Sequence, residues 1–93
     1  MTETTTGAFD SAAPWTLNPM VSLRNEEFGA LAYHHGNRRL VFLKSRTLVD
    51  LVTRLDQYDS AHDALIDVVP EAQRSRYLGA LVSLAGSEIV RGR

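Results

Sequence analysis

Alternating apolar positions mark a β-hairpin in the middle of the chain. Residues 28–35 (FGALAYHH) and 38–43 (RRLVFL) flank Gly36-Asn37, a pair that favours a two-residue turn because both positions tolerate positive φ. This turn would place Ala30 opposite Leu43. Both faces of the hairpin are then apolar: one carries Leu31, Tyr33, Leu40 and Phe42, and the other carries Phe28, Ala30, Ala32, Val41 and Leu43.

A further strand is predicted before the hairpin, over residues 17–24. Val21 and Leu23 would share one of its faces, and Pro19 suits a strand start or edge because proline cannot donate to a ladder. The preceding residues 1–16 are rich in Thr, Ser, Ala and Gly. We expect them to form a mobile N-terminal tail, which leaves residues 17–93 as one folded domain.

The apolar spacing becomes helical after Leu43. Three helices are predicted, beginning near Ser45, Ser60 and Pro70, since serine is a good N-cap and proline suits a first helical turn. Gly86 would end the third helix. The apolar positions of the first helix are Leu48, Leu51, Val52 and Leu55, and those of the third include Tyr77, Leu78 and Leu81. The fold class is therefore α+β and winged-helix-like, with a three-stranded antiparallel sheet followed by three helices.

Composition limits the functions that this domain can have. The chain has 93 residues, no cysteine, a net charge of −1 and no apolar run of the length that a membrane span needs. His34 and His35 point to opposite faces of a strand, so they do not form a metal site together. No phosphate loop or nucleophile motif is present. We expect a cytoplasmic protein that is not an enzyme, with no metal, no cofactor and no membrane partner.

The charges fall into segments. Residues 24–46 contain five basic and two acidic residues, residues 50–71 contain six acidic and one basic, and residues 74–93 contain four basic and one acidic. A winged-helix nucleic-acid-binding protein is the alternative that the fold class allows. Asp63 and Asp67 on the second helix argue against it, because affinity for nucleic acid depends on neutralising phosphates with basic side chains.

The order of elements resembles the precursor-peptide recognition proteins of the pyrroloquinoline quinone biosynthesis D type. Three stretches, 18–24 (NPMVSLR), 27–33 (EFGALAY) and 39–43 (RLVFL), are similar more specifically to the small binding chaperones of mycofactocin biosynthesis. This resemblance implies a protein that binds the leader of a ribosomally made precursor peptide. It also implies that the protein brings the leader to a radical S-adenosylmethionine maturase.

The resemblance further implies a binding mode, in which the leader adds as a strand to the edge of the third strand, against the third helix. The expected peptide-binding residues are Arg39, Leu40, Val41, Phe42, Leu43, Arg74, Tyr77, Leu78 and Leu81. The residues support this mode independently. A meander leaves its third strand as an edge, and Arg38, Arg39 and Lys44 on one wall with Arg74 and Arg76 on the other favour an acidic peptide.

The hairpin's second apolar face predicts another surface. Small residues let helices approach closely, so the face with Ala30 and Ala32 is assigned to the core. The opposite face, formed by Leu31, Tyr33, Leu40 and Phe42, would then be exposed and would dock the maturase or form a homodimer. Alternatively, the first strand and Trp15 fold back over it.

Overall fold

A three-stranded antiparallel sheet followed by three helices forms the body of the protein. The computed structural model describes residues 9–93. Its elements are β1 (Trp15–Leu17), β2 (Val21–Glu26), β3 (Gly29–His34), β4 (Leu40–Leu43), α1 (Arg46–Arg54), α2 (Ala61–Val68), α3 (Arg74–Gly86) and β5 (Val90–Gly92). The main sheet has the order β2-β3-β4, and β1 pairs with β5 in a small second sheet. The predicted α+β class is confirmed, whereas the second sheet was not predicted.

The register of the hairpin is as predicted, but its loop is not. Ala30 lies opposite Leu43 and Tyr33 lies opposite Leu40. The loop has four residues, 35–38, because Arg38 N–H donates to His34 C=O (2.8 Å) and Arg38 has a φ of 65°. The prediction of a two-residue turn with positive φ at Gly36 and Asn37 is therefore wrong. A four-residue loop has the same centre as a two-residue loop, so the register does not change.

The first predicted strand is interrupted. A turn at Pro19-Met20 separates β1 from β2, so residues 17–24 do not form one strand. Asn18 stabilises this turn: its Oδ1 accepts from Met20 N–H (2.9 Å), and its Nδ2 donates to Glu88 C=O (2.9 Å). The residues before the turn therefore do not belong to the main sheet. Asn18 N–H donates to Ile89 C=O (2.9 Å), next to the pairing of β1 with β5.

The starts of the first two helices follow the predicted capping residues. Ser45 Oγ accepts from Leu48 N–H (3.0 Å) before α1, and Ser60 Oγ accepts from Asp63 N–H (3.1 Å) before α2. Pro70 instead precedes a short 3-10 turn, and α3 begins at Arg74.

The end of α3 is a Schellman motif without glycine at the left-handed position. Ile89 N–H donates to Leu84 C=O (2.9 Å) and Glu88 N–H donates to Ala85 C=O (3.0 Å). Glu88, not Gly86, adopts the left-handed conformation, with a φ of 63°. Ile89 is fully buried, which directs the chain back toward β1.

The core lies between the three-stranded sheet and the helices. The sheet contributes the small-residue face, as predicted, since Ala30, Ala32 and Leu43 are fully buried. The largest fully buried side chains are Leu43, Leu51, Leu55, Leu81, Ile89, Val52, Val69 and Val90. Phe28 is an exception to the prediction. It was expected on the core face, but it is exposed and lies with its ring 6.0 Å from the Phe42 ring on the other side.

Residues 10–16 contact the folded body. Trp15 is buried, and its Nε1 donates to Asp10 C=O (2.8 Å). Ala61 N–H donates to Ala13 C=O (3.1 Å). The mobility of the tail stays a prediction, and its residues 1–8 lie outside the described part of the chain. Within the range 9–93, none of the helices has the length and hydrophobicity to cross a bilayer.

Replacing Glu88 with Gly should raise the free energy of unfolding by about 0.5–1 kcal/mol, because glycine adopts the left-handed conformation without a Cβ penalty. Glu88 is exposed, so no packing is lost. Urea unfolding monitored by circular dichroism measures the change. Glu88→Ala is the matched control, since it removes the same side-chain atoms beyond Cβ and keeps the strain. Equal stabilities of the two variants would contradict this account.

Candidate functional site

Among residues 9–93, β4 is an edge strand with unpaired backbone groups. His34 N–H donates to Arg39 C=O (2.9 Å), which makes these two residues a hydrogen-bonded pair. Pairs alternate along an antiparallel ladder, so Val41 and Leu43 also direct their N–H and C=O groups toward β3. Leu40 and Phe42 therefore direct theirs outward. The edge offers two N–H and two C=O groups to an added strand.

A cleft opens between the C-terminal end of β4 and α3. It has a volume of about 150 Å³ and is lined by Lys44, Ser45, Leu48, Arg76, Tyr77 and Ala80. The Tyr77 hydroxyl and Ser45 Oγ are hydrogen-bonded at 2.8 Å. Beyond the other end of β4, Asn37 Nδ2 donates to Ser87 C=O (3.3 Å). These two bonds connect the sheet to α3 at either end of the β4 edge.

Four cations near β4 form no ion pair with a carboxylate of residues 9–93. Lys44 and Arg76 line the cleft, and Arg38 and Arg39 are exposed at the start of β4. Within residues 9–93, the ion pairs are Arg24–Glu26 at 2.8 Å and Arg54–Asp67 at 3.5 Å. None of the four cations near β4 is thus neutralised by a carboxylate of that range. The β4 edge therefore has a positive electrostatic potential.

The structure brings only part of the predicted site together on α3. Tyr77 lines the cleft, but Leu81 is fully buried in the core. Arg74 faces α2, where its Nε donates to Val69 C=O (3.0 Å) and its Nη2 donates to Ile66 C=O (3.1 Å). Leu78 lies one helical turn after Arg74 and shares its side of the helix. The wall of the cleft is formed instead by Arg76 and Ala80, beside Tyr77.

On β4, the predicted residues divide between two faces. Leu43 is fully buried and Val41 is half-buried on the core face, whereas Leu40 and Phe42 are exposed by 55% and 54% on the other. Arg39 is exposed just before the strand. The edge predicted from the sequence is therefore present, and its outward polar groups belong to the same two residues that expose apolar side chains.

The second apolar face is uncovered in the described part of the chain. Leu31 and Tyr33 of β3 are half-buried, and they lie opposite Phe42 and Leu40 of β4. Trp15 is buried in the core instead of covering this face. We call the four residues Leu31, Tyr33, Leu40 and Phe42 the open face.

Residues 50–71, which carry the acidic excess, lie toward the C-terminal end of α1, away from Ser45. There the Tyr58 hydroxyl donates to Asp67, and Arg54 donates to the Tyr58 oxygen (3.0 Å). The hydrogen bond to Asp67 raises the pKa of Tyr58 above its usual value. Among residues 9–93, no three His, Asp or Glu side chains gather into a group that could hold a metal ion. The arrangement at β4, an edge strand beside a cleft, is suited to binding an added strand.

Comparison with known proteins identifies the family. The model of the Peptide chaperone MftB family matches residues 14–91. The chain belongs to this family of peptide chaperones. The expected resemblance to such chaperones is thereby confirmed, as is the expectation of a protein that is not an enzyme.

Individual relatives agree with the family match. The chain is 41% identical over 85 residues to the peptide chaperone MftB of Mycobacterium ulcerans, covering 90% of this chain and 78% of the relative. It is 42% identical over 83 residues to those of Mycobacterium tuberculosis and Mycolicibacterium smegmatis. Those alignments cover 88% of this chain, and 76% and 81% of the two relatives. No solved structure gives a significant match.

Proposed function

We propose that this protein captures the leader of the mycofactocin precursor peptide by strand addition to β4 and presents it to a radical S-adenosylmethionine maturase in the cytoplasm. The observation that carries the proposal is the free edge of β4 facing α3 across a cleft lined by Lys44, Arg76 and Tyr77. Membership of the peptide chaperone MftB family supports a peptide as the ligand.

Strand addition explains how so short a surface holds a peptide. An added strand would bond to the outward N–H and C=O groups of Leu40 and Phe42, which supply affinity without requiring a particular side chain. Its side chains alternate between the two faces of the sheet. Every second side chain would then face α3 and the cleft, where Tyr77 and Ala80 provide apolar contacts.

Charge would select among peptides. Lys44 and Arg76 on the cleft, with Arg38 and Arg39 at the start of β4, place cations along the path of the added strand. An acidic leader would gain attraction from all four residues, whereas a basic one would be repelled. The same cations are too few, and α2 with its exposed Asp63 and Asp67 is too acidic, to favour the nucleic-acid alternative.

The open face would serve the presentation step. It lies on the side of the sheet opposite the core and adjoins the edge that takes the leader. Exposed apolar clusters of this kind mark protein interfaces. We assign this face to the maturase, and a second copy of the chain is the competing occupant.

Replacing Phe42 with Pro should weaken binding of a synthetic leader peptide at least about fivefold, because it removes one outward N–H and thus one hydrogen bond worth ~1 kcal/mol. Proline is tolerated on an edge strand where the residue that it replaces directs its N–H toward solvent. Phe42→Ala is the matched control, because it loses the ring and keeps the N–H. Isothermal titration calorimetry measures the leader affinity of each variant. Equal affinities of Phe42→Pro and Phe42→Ala would contradict the proposal.

Replacing Arg76 with Gln should lower leader affinity, whereas replacing Arg74 with Gln should lower stability. Arg76→Gln should weaken an acidic leader about three- to tenfold at low salt, with a smaller effect at high salt, and should leave stability unchanged. Arg74→Gln should lower stability by about 1 kcal/mol, because it loses bonds to the α2 carbonyls, and should leave affinity unchanged. Calorimetry and urea unfolding distinguish the two. The reverse pattern would restore Arg74 as the peptide contact.

Replacing Tyr33 with Asp should abolish association with the maturase while leader affinity stays within about twofold, because a charge on the open face interrupts an apolar contact without touching the β4 edge. Size-exclusion chromatography of the mixed proteins measures complex formation and self-association together. Gln57→Asp, which adds the same charge on the exposed turn after α1, is the control. An intact complex with Tyr33→Asp would exclude the open face as the docking surface.

A further inference from the structure

We infer that Arg38, Arg39 and Lys44 prevent β4 from pairing with β4 of a second copy, and so keep the edge free for an acidic strand. Whether β4 pairs with β4 of a second copy does not depend on the proposed function. Only the identity of the admitted strand rests on the proposed function.

The β4 edge has the features that lead to self-association. Its pairing with β3 is continuous from Leu40 to Leu43, without a bulge, and it contains no proline. Leu40 and Phe42 add exposed apolar side chains to their outward backbone groups. An exposed apolar edge of this kind is a template for another copy unless charge or shape blocks it.

The symmetric register places like charges together. A two-fold axis at Val41 would pair Leu40 with Phe42 of the second copy, so that all the outward groups of both strands are satisfied. Beyond this pair, Arg39 faces Leu43 of the second copy, and Arg38, in the loop just before the strand, lies at the end where Lys44 of the second copy follows Leu43. Symmetry repeats this cation pair at the other end of the strands.

Sliding the strands does not remove the repulsion. A shift by one pair places Leu40 opposite Lys44 of the second copy, so Lys44 no longer faces a cation directly. The three cations of each chain still lie along the same short ladder, and residues 36–46 contain no carboxylate to neutralise them. Repulsion between them is weakened, but not removed, by the screening length of about 8 Å at physiological salt.

The three residues are free to act in this way. All three are exposed, and within residues 9–93 none forms an ion pair with a carboxylate. The same positive charge that repels a second β4 attracts a strand carrying Asp or Glu. One set of side chains thus discriminates between two strands that could form the same backbone hydrogen bonds.

The test is the triple variant Arg38→Gln/Arg39→Gln/Lys44→Gln, studied by sedimentation equilibrium. It should self-associate at least about tenfold more tightly than the natural sequence at low salt, and high salt should narrow this difference by screening the natural cations. The control Arg91→Gln removes one exposed cation of β5, away from β4; it is matched to the single variant Lys44→Gln and should behave as the natural sequence. Should the triple variant fold poorly, the single variant Lys44→Gln should still show about threefold tighter association.

A second substitution identifies the surface. Adding Phe42→Pro to the triple variant should return it to a monomer, because an outward N–H of the edge is lost. A triple variant that stays as monomeric as the natural sequence would overturn the inference, as would self-association that survives Phe42→Pro.

Titration with a synthetic leader peptide separates this inference from the proposed function. If the natural sequence binds no leader while the triple variant self-associates, the proposed function fails and the role of the cations stands. If the natural sequence binds leader and the triple variant stays monomeric, the proposed function stands and the cations act only on the peptide.

Discussion

The close approach of the backbone at Gly29 to the end of β4 is the contact on which the site depends. A Cβ at this position would lie 2.0 Å from Leu43 O and 2.9 Å from Ser45 N, and its φ of 150° also excludes other residues. Ser45 lies two residues after Leu43, where its Oγ caps α1 and forms a hydrogen bond with the Tyr77 hydroxyl. A position without a side chain therefore fixes the start of α1 and one end of the cleft.

The main sheet buries one face under the helices, while within residues 9–93 nothing covers its other face or pairs with the β4 edge. Two hydrogen bonds hold the ends of the hairpin. Arg46 Nη1 donates to Gly29 C=O (2.7 Å), and Asn37 Nδ2 donates to Ser87 C=O just after α3 (3.3 Å). The hairpin is thus held at both ends while its edge stays unpaired, which gives a rigid template at little cost in buried area.

Local signals predicted the hairpin register and the first two helix caps, because each depends on neighbouring residues. The pairing of β1 with β5 joins residues 15–17 to 90–92 through three pairs and has no local signal. On α3, the apolar stripe did not show which of its flanks faces β4. The carbonyls at the end of α2 take Arg74, so Arg76 and Ala80 form the cleft wall instead. The sequence also did not show that Leu40 and Phe42, and not Val41, direct their N–H groups outward.

The alternation that places Leu40 and Phe42 on the edge also links the two proposed surfaces. A strand added to β4 would continue the sheet, so its alternate side chains would lie on the open face beside Leu40 and Phe42. The remaining side chains would point toward Tyr77 and the cleft. A partner docked on the open face would then contact peptide and protein together. Under the proposed function, a leader would have to match a cleft on one side and a partner on the other, which would let a four-residue edge be selective.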